Sequence, residues 1–229
     1  MQESLDELRK SGQIKLADRI EYKIEEARRQ GESMGTHLQE IFRRVGFDPG
    51  LITTNGAISF EVDFGNEIEA LKRFHPKRLI VTESSEPYVW ERKRSESVNL
   101  GKKLVIETLG KEMNCIYKDR ELYEAIWGLE AQETNDYGLI TRLNIWPLAI
   151  SDDPGIIPRS VTVEDFIIKT SKFIHPKGLI LLSAQEGDNS VEKALLDISN
   201  RGIEGHKLES FTFSGKAGNR FLAVKKNVS

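Results

Sequence analysis

The chain has 229 residues, of which 38% are hydrophobic and 30% charged, and its formal net charge is −3. That length suits one sizeable core with an appendage and is short for two domains, and the charge gives no signature of a general nucleic-acid binder. It has no run of about 18 apolar residues and its first twenty are largely polar, so neither a membrane span nor a signal peptide is expected, and the expected compartment is the cytoplasm.

Residues 1–50 read as an N-terminal helical extension. One apolar stripe runs through Leu16, Ile20, Ile24 and Ala27, and a second, after Gly31 to Gly35, through Leu38, Ile41, Phe42 and Val45. This pattern predicts two or three helices ending near Gly46. Phe47-Asp48-Pro49-Gly50 is a turn signal, and residues 51–229 are assigned to one α/β domain. The extension is expected to serve as a lid, as a homodimer contact, as a surface for a protein partner or merely as an extension of the core.

Strand and helix patterns then alternate. Strands are predicted at 57–64, 78–83, 114–118, 137–146 and 178–183. Helices are predicted over 66–74, from Pro87 to Gly110, over 121–128 and 161–173, and after the strand at 178–183. Such alternation implies a largely parallel sheet with helices on both faces, a three-layer α/β/α sandwich. The last two strands, 207–213 and 219–226, are joined by Ser-Gly-Lys-Ala-Gly and form an antiparallel hairpin, which brings the sheet to seven strands. Cys115 is the single cysteine and lies in an apolar strand pattern, where inert packing is expected. Arg92, Lys93, Arg94, Lys102 and Lys103 are interspersed with glutamates and are assigned to a solvated helix face. His75 and His175 each begin a His-Pro-Lys step into a strand, for which structural roles are expected.

A parallel sheet that closes on an antiparallel hairpin resembles the class I S-adenosylmethionine-dependent methyltransferases, whose Rossmann-like sheet ends this way. Four strand ends carry the resemblance further. At the end of the first strand stands Glu61-Val62-Asp63-Phe64-Gly65-Asn66-Glu67, where the family has an acid followed by a glycine-rich loop. Glu61 matches the acid and Gly65 the middle glycine, while Asp63 and Glu67 replace the outer two, so the motif is degraded. A second register puts the acid at Asp63.

Glu83 ends the second strand, 22 residues after Glu61, an interval similar to the family's. The resemblance implies that it accepts hydrogen bonds from the cofactor's ribose hydroxyls; the other reading is a helix cap. Asp119 follows the third strand and by the same resemblance meets the adenine amino group, or else caps the next helix. At the end of the fourth strand, Asn144 and Trp146 in Asn-Ile-Trp-Pro are similar to the motif by which amino-group methyltransferases hold their acceptor, although Trp146 also reads as ordinary core. Asp152 and Asp153 read either as a base or as a turn.

Methyl transfer from a sulfonium needs alignment and exclusion of water more than reactive side chains. No hydrolase nucleophile motif, phosphate loop or zinc-binding Cys/His set occurs, and no metal is expected. The resemblance therefore implies a methyltransferase using S-adenosylmethionine and releasing S-adenosylhomocysteine, with a small-molecule acceptor. Two other readings stay open: an inactive methyltransferase-like protein that binds a partner through its N-terminal helices, and a nucleotide-sensing module.

Overall fold

The computed structural model describes residues 2–62, 65–83, 96–111, 113–120, 125–126, 137–145, 161–184, 189–212 and 220–226. The predicted helix over 121–128 lies almost wholly outside these residues, as do Pro87 and the hairpin connector.

The N-terminal residues form α1 (Gln2–Lys10), α2 (Ile14–Val45) and a short α3 (Gly50–Asn55). The expected break between Gly31 and Gly35 does not occur, because α2 runs unbroken for 32 residues. Its glycines mark the crossing with α4 (Asn66–Lys72) instead. A Cβ on Gly31 would sit 2.4 Å from Cβ of Glu69 and 2.8 Å from the Asn66 carbonyl oxygen; one on Gly35 would sit 3.1 Å from the Ala70 carbonyl oxygen. Close packing therefore offsets the roughly 1 kcal/mol that each glycine costs in a helix interior.

As expected, α2 stops at Gly46. The glycine takes a left-handed φ of 61°, its N–H donates to the Arg43 carbonyl, and the Phe47 N–H reaches back 2.8 Å to the Phe42 carbonyl. This double bond pattern satisfies carbonyls that would otherwise be orphaned. Lys225 Nζ donates to the carbonyls of Val45 and Gly46, the latter at 3.2 Å.

Seven strands form one sheet: β1 (Ala57–Phe60), β2 (Leu79–Glu83), β3 (Cys115–Asp119), β4 (Tyr137–Ile145), β5 (Ile174–Ala184), β6 (His206–Thr212) and β7 (Arg220–Lys226). Their order is β3-β2-β1-β4-β5-β7-β6. The first five are parallel, and β7 runs antiparallel to both β5 and β6, as the hairpin pattern predicts. Among the described residues, helices of eight or more residues between strands are α5 (Glu96–Gly110), α6 (Val163–Thr170) and α7 (Asn189–Arg201), and the shorter α4 lies between β1 and β2.

Alternate strand residues face opposite layers. Ala57, Leu79, Val81, Leu139, Leu181 and Ala223 pack in one buried cluster with α2, α4 and α5. Ile58, Phe60, Ile140, Ile180, Leu182 and Leu222 pack in the other, with Phe166 of α6 and Val191 and Leu195 of α7.

Two strand boundaries differ from the sequence reading by more than one residue. β1 ends at Phe60 rather than Phe64, because Glu61 takes a left-handed φ of 55° and turns the chain out of the sheet. β5 begins at Ile174, four residues before the predicted start at Gly178, so it contains the second His-Pro-Lys step. The proline is accommodated where the β4–β5 register shifts, between the pairs Tyr137–Ile174 and Leu139–Leu179. There His175 Nδ1 accepts from the Lys177 N–H at 3.1 Å.

Candidate functional site

Strand order reverses between β1 and β4. From β1 the sheet grows outward through β2 and β3, and from β4 it grows the other way through β5. Connections leave the carboxyl ends of these two strands in opposite directions, which is where an open α/β sheet makes its ligand crevice.

Three carboxylates stand along that edge. Phe60 is level with Thr82, and the Glu61 N–H donates to the Thr82 carbonyl at 2.8 Å, so Glu61 lies beside the end of β2. Glu83 is level with Asp119. Glu61, Glu83 and Asp119 thus occupy the adjoining ends of β1, β2 and β3. The resemblance puts each of them at a strand end, and the parallel register brings them into one row.

Their surroundings differ. Glu83 is buried, Asp119 is exposed and Glu61 lies between. Lys102 of α5 donates to Glu83 Oε1 at 2.6 Å, and the Tyr117 hydroxyl donates to the Glu83 carbonyl at 3.2 Å. Burial of the Tyr117 phenol, followed by repulsion from Asp119, Glu83 and Glu107, raises its pKa well above the ordinary value, so it stays a hydrogen-bond donor. Contrary to the solvated face expected for it, Lys102 turns inward to Glu83. Its neighbour Lys103 keeps the expected exposure and lies 4.0 Å from Glu107.

Beyond Glu61, the Gly65 N–H donates to the Val62 carbonyl at 2.7 Å. Gly65 has a φ of 84° and immediately precedes α4, and a Cβ there would lie 2.9 Å from Cδ1 of Leu109. A glycine is required by the backbone conformation. Glu67 is only 3% exposed within the first turn of α4, where a carboxylate favours the helix dipole. Asn144 is in the last part of β4. Its side chain, Asp63 and Trp146 lie outside the described residues, as do Asp152 and Asp153.

Sequence reasoning missed Arg142. It stands on β4 opposite Phe60, its side chain is 1% exposed, and its Nε donates to Glu61 Oε2 at 2.7 Å. Its Cζ lies 5.6 Å from the centroid of the Phe166 ring. The available signal was a lone charged residue in the otherwise uncharged run Tyr137 to Ile145. Beneath this pair, Thr141 Oγ1 donates to Ser59 Oγ at 2.8 Å and further ties β4 to β1. Among the described residues, no group of three or more His, Cys, Asp or Glu side chains is placed to hold a metal ion, and no helix is long and apolar enough to cross a membrane.

No protein-family model matches the chain, and no curated protein matches it either. Solved structures do match. A Klebsiella pneumoniae protein described as an O-methyltransferase superposes with a TM-score of 0.54 at 12% identity, over 90% of each chain. The O-methyltransferase from Bacillus cereus, crystallised with S-adenosylhomocysteine, superposes with the same TM-score and identity over 90% of this chain and 91% of its own. The fold is that of the class I methyltransferases. Within that methyltransferase fold the acidic row lies at the carboxyl ends of β1, β2 and β3, and the Glu61–Arg142 pair joins the two strands at the reversal.

Proposed function

We propose that the chain binds S-adenosylmethionine along the carboxyl ends of β1, β2 and β3 and transfers its methyl group directly to an acceptor held beyond β4. The observation that carries this reading is the row of Glu61, Glu83 and Asp119 on three adjoining strand ends, beside the sheet's reversal point. Likeness to two structures designated O-methyltransferases, one of them bound to S-adenosylhomocysteine, supports it.

In this reading Glu83 accepts from the ribose hydroxyls and Asp119 from the adenine amino group. Glu61, Asp63 and Gly65 lie at the methionine portion, and Asn144 and Trp146 contact the acceptor. Lys102 does not exclude the ribose role, because a carboxylate offers about four lone-pair directions and one bond from lysine fixes its orientation. Burial of Glu67 within α4 also favours the fit, since its charge is not presented to the cofactor's carboxylate. A bound sulfonium supplies an electrophilic methyl and its own leaving group; the protein aligns the acceptor and excludes water.

A second reading is a methyltransferase-like protein without activity. It is favoured by the engagement of Glu61 by Arg142 and of Glu83 by Lys102, which occupies both acids with the protein's own cations. Calorimetric titration with S-adenosylhomocysteine and then S-adenosylmethionine separates the two. Micromolar binding supports the enzyme; no binding up to millimolar ligand supports the inactive form and directs attention to the N-terminal helices.

A further inference from the structure

Arg142 is the most deeply buried cation described at the reversal point. Its side chain is 1% exposed, and its Nη1 is buried with no hydrogen-bond partner. Glu61 takes the Nε proton, while Phe166 lies against the guanidinium. A guanidinium presents five donors in a rigid planar fork, and a buried donor without an acceptor destabilises the fold. An aliphatic residue would pack beside Phe60 and Phe166 without that cost, so stability alone does not call for arginine at this position.

We infer that Arg142 is an oxyanion-binding residue whose Nη1 donates to a carboxylate on a ligand in the crevice between β1 and β4. The bond is charge-assisted and strengthened by exclusion of water. Glu61 is a positioning residue: its bond to Nε fixes the plane of the fork and leaves Nη1 without an acceptor. The carboxylate comes either from the aminoacyl portion of the cofactor or from the acceptor. This inference rests on the proposed function only for the identity of the ligand, because the orphaned donor and its place at the reversal are features of the chain itself.

The test uses the full chain. S-adenosylhomocysteine and 5′-methylthioadenosine, which lacks the aminoacyl carboxylate, are titrated calorimetrically into the wild type, Arg142→Met and Arg142→Lys. Acetate is titrated separately into wild-type protein carrying 15N-arginine, and the Arg142 Nε–H resonance is identified by its contact with the Phe166 ring. If the cofactor supplies the carboxylate, Arg142→Met weakens S-adenosylhomocysteine by about 10-fold or more and leaves 5′-methylthioadenosine within about twofold. Arg142→Lys then recovers only part of the loss, since lysine lacks the fork. If the acceptor supplies it, neither adenosyl ligand responds to the substitution, and acetate shifts the Arg142 resonance saturably in the wild type.

Equal weakening of both adenosyl ligands, or an Arg142 resonance unmoved by about 100 mM acetate together with unchanged S-adenosylhomocysteine affinity, overturns the inference. Failure of the wild type to bind either adenosyl compound overturns the methyltransferase reading, and the acetate titration still decides the oxyanion site. The resonance experiment needs no substitution, so it stands even where Arg142→Met does not fold.

Discussion

Lys102 Nζ lies 2.6 Å from Glu83 Oε1, with the glutamate side chain 6% exposed and the lysine 19%. A pair this sheltered couples ligand recognition to stability, because removing either partner leaves the other charge poorly solvated. Glu83→Ala is expected to weaken S-adenosylhomocysteine by about 1–3 kcal/mol through the lost ribose bonds and to lower stability by a similar amount. Combining it with Lys102→Met should restore most of the stability and none of the affinity. Chemical denaturation and calorimetry on the single and double variants check both halves; an affinity that recovers in the double variant removes Glu83 from the ligand site.

Gly31→Ala tests the helix crossing. Alanine is the better helix former by about 1 kcal/mol, yet its Cβ meets Glu69 Cβ at 2.4 Å and the Asn66 carbonyl oxygen at 2.8 Å. Overpacking against backbone costs about 1–3 kcal/mol, so a net loss of stability is expected in a denaturant midpoint measurement. A midpoint that rises would show that α4 moves aside freely.

Burial pushes the Cys115 thiol up to about 11, from an ordinary value of 9.0. At pH 8 the thiolate fraction, and with it the rate of alkylation by iodoacetamide, is expected to be about 100-fold below that of an unfolded cysteine. Mass spectrometry of protein treated with and without guanidinium measures this directly. The sign for stability follows: between pH 9 and 11 the unfolded chain loses its thiol proton and the folded chain keeps it, so this group's contribution to stability falls as pH rises.

Lys225→Met removes the ammonium that holds the last carbonyls of α2. The methionine keeps most of the apolar stem, so the expected loss is about 1 kcal/mol, from the hydrogen bonds and the helix dipole. Thermal unfolding followed by circular dichroism reads it, and a variant as stable as the wild type would show that water replaces the lysine without penalty.

Much of the sheet was legible in the sequence because buried parallel strands and an alternating hairpin leave distinct patterns, and Glu61, Glu83 and Asp119 were singled out at strand ends by the resemblance to the methyltransferases. What local pattern could not reveal depended on distant partners. Gly31 and Gly35 look like a break until α4 lies against them, and Lys102 looks solvated until Glu83 is placed beside α5. His175-Pro176-Lys177 reads as a step that precedes a strand, whereas a register shift lets β5 run through it. Arg142 sits inside a strand, where the alternation gives its face and says nothing of the Glu61 carboxylate 81 residues away.

The bond from Lys225 to the end of α2 spans 180 residues of chain. At about 1.5 Å per residue α2 extends about 48 Å, so one rod touches α4 and α5 along its length and is fastened to the final strand at its tip. The fastening point is made only when nearly the whole chain is available. Closing a loop of that length carries a large entropic cost, so this contact is expected to form late in folding, after α2 has packed on α4 and α5. A chain cut short by its last ten residues should lose order at its beginning as well as at its end.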